Sequence, residues 1–164
     1  MYTVLRYILE EVKRQGFTPN TIEFDCRVDW MESAWIYAQK QLNVGEKIPR
    51  IEHVIRLGRM IEPELNRQGF RTVGVTAGGR PCPRPDEIMP KLERVLDVIK
   101  TLDRDDWNYW MPDQFYKAFE LIHPFLDGNG RTGSVLYHWW ANTLTNPEIH
   151  PDDLIDWNQT LYHN

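Results

Sequence analysis

His123-Pro124-Phe125-Leu126-Asp127-Gly128-Asn129-Gly130-Arg131 is the stretch on which the reading of this chain turns. Proline at 124 pushes residue 123 out of the α region, so a helix approaching His123 must stop there. Gly128-Asn129-Gly130 is a flexible turn, and the run from about Asn129 to Leu144 reads as a second helix. The first backbone N–H groups of such a helix have no internal acceptor, and the helix dipole favours negative charge beside them. The two glycines allow close approach of a ligand and positive φ. Arg131 adds a forked, permanently charged donor. Asp127 is an oxygen ligand of the kind Mg²⁺ takes together with phosphates, and His123 titrates near neutrality. Singly, each residue has a plainer reading: a helix end, a turn, a solvated arginine. The joint spacing of a base, a metal ligand, an anion cradle and an arginine describes phosphoryl or nucleotidyl transfer.

Working outward, the chain is mostly helical in pattern. Val4, Ile8 and Val12, with Leu5 and Leu9 beside them, predict an amphipathic helix that Gly16 ends. A second helix is expected from Asp29 to Leu42 and a third from Arg50 to Leu65, with Pro63 ending or kinking it. Between Gly69 and Arg80 β-branched residues alternate with small or polar ones and lead into Gly78-Gly79, the one candidate strand or hairpin. Pro81, Pro83 and Pro85 form a stiff connector. Asp86 opens a helix through Leu102, with Ile88, Leu92, Val95, Leu96 and Ile99 facing inward. Asp105, Asp106 and Asn108 mark a loop, and Pro112-Asp113 opens the helix that runs to His123, with Phe115, Phe119 and Ile122 on one side. Pro147 and Pro151 interrupt the chain, and Asp152 to Leu161 reads as a last helix. The fold class expected is all-α with a small β-hairpin, in one domain over 1–164, a helical extension over about 1–49 and a core over about 50–164.

Composition narrows the function. The chain has 164 residues, net charge −5 and 41% apolar residues, enough for a folded core. No Lys/Arg-rich run is present, so a nucleic-acid partner is not expected. A nucleotide remains compatible, because a small phosphate site needs only local donors. No apolar run reaches the roughly 18–20 residues that cross a bilayer, so no membrane partner is expected either. Two cysteines, Cys26 and Cys82, are too few for a disulfide framework and point to a reducing, cytoplasmic setting.

The nine-residue stretch resembles the signature His-Pro-Phe-x-Asp-Gly-Asn-Gly-Arg of the Fic (filamentation induced by cAMP) domain family. The segment Phe70 to Val73, followed by Gly78-Gly79 and the proline connector, resembles that family's flap hairpin. The likeness runs from about Glu52 to Leu144, more weakly to Trp157, and leaves the first fifty residues without a counterpart. It implies a helical core with a β-hairpin flap, Mg²⁺ as cofactor, and transfer of AMP from ATP to a Ser, Thr or Tyr hydroxyl of a target protein. It further implies that His123 is the base and Asp127 the Mg²⁺ ligand. The backbone of Gly128, Asn129 and Gly130 would be the anion hole, with the Asn129 side chain assisting and Arg131 on the phosphates. Thr72, Val73, Gly74 and Val75 would pair with an extended target segment. Phe125 would be a buried anchor.

One position departs from the pattern. The family continues Arg-x-x-Arg, whereas this chain has Arg131-Thr132-Gly133-Ser134. The resemblance implies that the second arginine meets the γ-phosphate, so Ser134 opens alternatives: a phosphotransferase or a transferase for another phosphate-containing donor, or a low-activity binding module. The family's inhibitory motif, Ser/Thr-x-x-x-Glu-Gly/Asn, has no match here. Trp139 and Trp140 are expected in the core rather than as walls of a base pocket. His138 is expected at the surface, with a phosphate-donor role as the sharper alternative. His53, His150 and His163 show no partner spacing, and no zinc pattern is present.

Overall fold

Thr3 and Thr21 open the first two helices in the same way. Each sits in extended backbone, and its hydroxyl accepts the amide three residues on, Arg6 N at 3.2 Å and Phe24 N at 3.1 Å. In the computed structural model, which describes residues 3–101 and 111–157, these caps start α1 (Val4–Arg14) and α2 (Ile22–Asn43). The second helix begins seven residues before the expected Asp29. Its inward stripe of Phe24, Val28, Met31, Trp35 and Ala38 already starts among the polar residues Asp25, Cys26 and Arg27. Helix α3 (Ile51–Ile61) ends where Pro63 forces Glu62 into extended backbone, at φ −136° and ψ 80°.

The expected hairpin is much shorter than its sequence pattern. Strands β1 (Thr76–Ala77) and β2 (Arg80–Pro81) pair antiparallel, and Cys82 N donates to Val75 O at 3.0 Å beyond them. Gly78 and Gly79 both have positive φ, as a two-residue hairpin turn of the primed type requires. Thr72, Val73, Gly74 and Val75 are not a strand: Thr72 and Val73 form a bend, and the first three are exposed. The cause is Arg71, whose guanidinium takes Val73 O at 2.8 Å and so turns the chain.

Helix α4 (Pro85–Thr101) matches expectation, and the loop read at 105–108 lies outside the described residues. Helix α5 (Met111–Ile122) ends before His123-Pro124 as predicted, and α6 (Asn129–Ala141) follows. The latter stops three residues before Leu144, at Asn142 in left-handed backbone. The described part of the expected last helix, residues 152–157, is not α-helical. A short 3₁₀ helix, Pro151–Leu154, gives way at Ile155 to extended backbone, and residues beyond Trp157 lie outside the described part. Pro151 and the pair Asp152-Asp153 support one tight turn but supply no apolar stripe to dock a longer helix.

Helix α6 is the axis of the core. Residues 131–140 are buried on all sides, and α5, α2 and α3 pack around it. One continuous apolar cluster runs from Tyr7 and Ile8 of α1 through Trp35, Leu57, Phe119 and Phe125 to Trp139 and Trp140. Both tryptophans are core residues, as expected.

Candidate active site

The loop between α5 and α6 is pinned from several directions. Phe125 is fully buried against Phe70 and Phe119, and its ring lies where a Cβ on Gly58 would need to be. Asn129 staples the loop: its side-chain carbonyl accepts Phe125 N at 2.9 Å and its amide donates to Phe125 O at 2.9 Å. That side chain is therefore engaged in loop structure, where the sequence reading had it assisting at a phosphate. Asn66 donates to Asp127 O at 2.8 Å and to Gly58 O at 3.0 Å, tying the loop to α3.

Gly128 has φ +74°, which disfavours other residues, and a Cβ there would lie 2.7 Å from Ile61. The first intrahelical bond of α6 runs from Thr132 N to Gly128 O. The amides of Asn129, Gly130 and Arg131 thus lack an intrahelical acceptor, leaving the positive end of the helix free. Asp127 sits just before it with its carboxylate half exposed, one oxygen accepting Gly128 N at 2.6 Å.

His123 holds φ +49°, a left-handed conformation uncommon for a residue other than glycine. Arg71 enforces it. This buried guanidinium has carbonyls as its hydrogen-bond partners: His123 O at 2.7 Å, Ile122 O at 3.2 Å, Pro83 O at 2.7 Å and Val73 O. Its amide adds Pro124 O at 2.9 Å. A cation on the last carbonyls of α5 suits the negative end of that helix dipole. It also fixes both ends of the hairpin segment to the histidine.

The His123 ring borders a cavity of about 630 Å³ walled by the hairpin turn at Gly78-Gly79, Arg80, Glu120, Asp152 and Trp157. Asp127 and the glycine turn lie outside that wall. Burial holds the imidazole below its usual range; the Glu120 carbonyl opposes this and the Arg71 charge reinforces it. The shift favours the neutral form of the ring. Glu120 is pushed the other way, up to about 8, by burial and by the nearby charges of Asp152 and Glu11.

The remaining predicted residues face inward. Arg131 is buried and bonds Glu62 at 2.6 Å, and Glu62 also meets Arg27 at 3.2 Å. The Arg131 guanidinium, stacked near Phe17, is held by Glu62 and lies 4.0 Å from the Asp127 carboxylate. Ser134 is fully buried and bonds the Tyr7 hydroxyl of α1 at 2.5 Å. Gly133 offers no spare room, since a Cβ there would meet Tyr116 at 2.9 Å and Glu120 at 3.0 Å. Gln15, just past α1, covers Gly130.

His138 is not at the surface. It bonds Thr143 Oγ1 at 2.7 Å and Ile149 O at 3.1 Å, and burial drives its pKa down to about 3. His150 has a partner after all, Glu11 at 2.6 Å, and His53 accepts Arg50 N at 3.0 Å to cap α3. His163 lies outside the described residues.

Sequence reasoning missed Arg71, Asn66, Glu62 and Glu120. For Glu120 a signal existed, the i to i+3 spacing that puts it on the His123 face of one helix. For the others none did, because their partners are backbone carbonyls or side chains far along the chain.

Comparison with curated protein sequences gives no significant match. A Fic-1 fragment from C. elegans is similar over 86% of this chain and 46% of its own length, with TM-score 0.60 and 20% identity. A Fic domain containing signaling protein from Bacteroides thetaiotaomicron is similar over 90% of this chain and 60% of its own, with TM-score 0.67 and 16% identity. The chain thus spans about half the length of these structures, and at such identity the likeness speaks for the fold. The sequence profile of the Fic/DOC family matches residues 48–141, more than half of the chain, and on that ground the protein belongs to the Fic/DOC family.

Proposed function

We propose that this protein is a transferase that moves AMP from ATP to a Ser, Thr or Tyr hydroxyl of a target protein. The observation that carries this reading is the pairing of a cavity-facing neutral histidine with the open positive end of α6 across one rigid loop. His123 takes the proton of the target hydroxyl at its accessible ring nitrogen. The free amides at the start of α6 bind the phosphate being attacked, an arrangement already in place before the charge develops.

Mg²⁺ fits the residues present. Asp127 has a half-exposed carboxylate with a second oxygen beyond the one that accepts Gly128 N. Among the described residues no cluster of three or more side-chain ligands forms, which suits an ion that arrives with phosphates rather than one caged by protein. Asp127 would hold it, and the ion would neutralise phosphate charge. The segment 72–75 would receive the target, with its exposed backbone rather than a preformed strand as the docking edge. A cytoplasmic setting belongs to this reading, supported by the two free thiols. Among the described residues no helix is long and apolar enough to cross a membrane.

A second reading uses another phosphate-containing donor, and Ser134 favours it. In the described structure the hydroxyl is committed to Tyr7, Arg131 is committed to Glu62, and Gln15 lies over Gly130. The phosphate tail of a triphosphate therefore meets no uncommitted cation on α6.

Parallel incubations with ATP labelled at the α or the γ phosphate, with the protein itself and a protein extract as acceptors, separate the readings. Label from the α position alone, lost with EDTA and in His123→Ala, is the expected result. Label from γ alone assigns phosphotransfer. No label from either removes ATP as donor and overturns the proposal.

A further inference from the structure

Two buried polar atoms in this site have no hydrogen-bond partner, His123 Nδ1 and Glu120 Oε1. The other oxygen of the same carboxyl, Glu120 Oε2, stands 3.9 Å from Nδ1. Buried polar groups are seldom left this way without a functional reason. Both residues border the same cavity, and Nδ1 being the buried ring nitrogen leaves Nε2 as the one a substrate can reach.

The geometry points to Glu120 as a positioning residue for His123, sharing one proton with Nδ1 and thereby deciding whether Nε2 is free to act as a base. This rests on the reading of His123 as the base. About one ångström of side-chain motion closes the gap to hydrogen-bond length. With Glu120 as a carboxylic acid, its O–H donates to Nδ1 and the ring carries its proton on Nε2, where it cannot accept another. Loss of the Nε2 proton to solvent, with transfer of the carboxyl proton to Nδ1, gives a carboxylate that accepts Nδ1–H and an Nε2 with a free lone pair. One proton leaves and no other bond changes. Imidazolium formed at Nε2 during transfer then lies beside a carboxylate, the logic of a base oriented by a buried acid.

The surroundings set where the switch falls. Tyr116 lies beside Glu120 on the same helix, and the charges of Glu11 from α1 and Asp152 from the 3₁₀ helix both oppose ionisation of Glu120. Arg71 and Asp127 act on the ring from its other side with opposite signs. The carbonyl of Glu120 competes for Nδ1–H. The two outcomes differ in tautomer, because a carbonyl can only accept whereas the acid form can also donate.

Nitrogen-15 NMR of histidine-labelled protein reads the tautomer without substrate. In wild type, the Nδ1 and Nε2 shifts of His123 are expected to exchange character with a midpoint near pH 8. In Glu120→Gln the exchange should vanish, with the fold checked by circular dichroism. Transfer activity, where present, should fall about tenfold per pH unit below the same midpoint in wild type only. A wild-type ring that stays in the Nδ1–H form from pH 7 to 9.5 overturns the proposal, as does an exchange that persists in Glu120→Gln. The wild-type titration decides even if the variant does not fold. An exchange near pH 8 without any AMP transfer supports the pair while rejecting the adenylyl reading.

Discussion

The loop after α5 and the helix that follows it carry the same sequence signature but live in different environments. His123 and Asp127 sit on the loop, one bordering a cavity and one half exposed, and their ion-pair partners stand off at 3.9 and 4.0 Å. Arg131 and Ser134, in the first and second turns of α6, are enclosed: one is clamped by Glu62, the other by Tyr7. A motif read along the chain treats all four as ligand contacts. Packing divides them, because a helix surrounded by α2, α3 and α5 has no free face from Arg131 onward.

The sharpest way to break this division is to remove one residue from each side. His123→Ala should lower transfer by about 10²–10⁴-fold, the usual value of a general base, with little change in stability. Transfer measured at wild-type rate would move the chemistry elsewhere. Arg131→Met should do the reverse. It leaves Glu62 buried with Arg27 still beside it at 3.2 Å, so the loss is that of one charged hydrogen bond, about 1.5–3 kcal/mol. Urea denaturation reads this directly. A variant of wild-type stability that has lost nucleotide binding would return Arg131 to the ligand side.

A smaller effect sharpens the comparison through pH. Glu120 is held near 8 in the folded state against about 4.5 when unfolded, so the folded protein binds more protons between those values. Stability is therefore lost as pH rises through that window, by up to about 1.4 kcal/mol per unit, and levels off above 8. His138 acts oppositely. Its folded value of about 3 lies below the unfolded 6.5, so its contribution is lost as pH falls below 6.5. Between pH 4.5 and 6.5 the two offset one another, and the Glu120 slope stands clear from 6.5 to 8. The stability difference between Glu120→Gln and wild type, read from urea denaturation, should widen by about 2 kcal/mol in favour of the variant between pH 6.5 and pH 9. Parallel curves would place the Glu120 carboxyl in a more solvated environment than its burial implies.

The sequence by itself determined the elements whose signals are local. Pro63 and Pro124 end helices through their effect on the preceding residue, and Gly78-Gly79 makes a hairpin turn through positive φ. The motif placed His123, Asp127 and the glycine turn between two helices, and the α6 start is where the pattern put it. Local signals failed where a distant partner decided. Thr72 to Val75 have the residues of a strand, yet Arg71 bends them by spending its donors on carbonyls of α5 and the hairpin. His138 looks like a surface histidine by spacing but is enclosed by the chain that returns at Thr143 and Ile149. Only the tertiary structure gave Arg131 to Glu62 and Ser134 to Tyr7, contacts that span 69 and 127 residues. A side chain's chemistry is written in its type, but its availability depends on which remote groups burial brings within hydrogen-bond reach, and no local pattern encodes that.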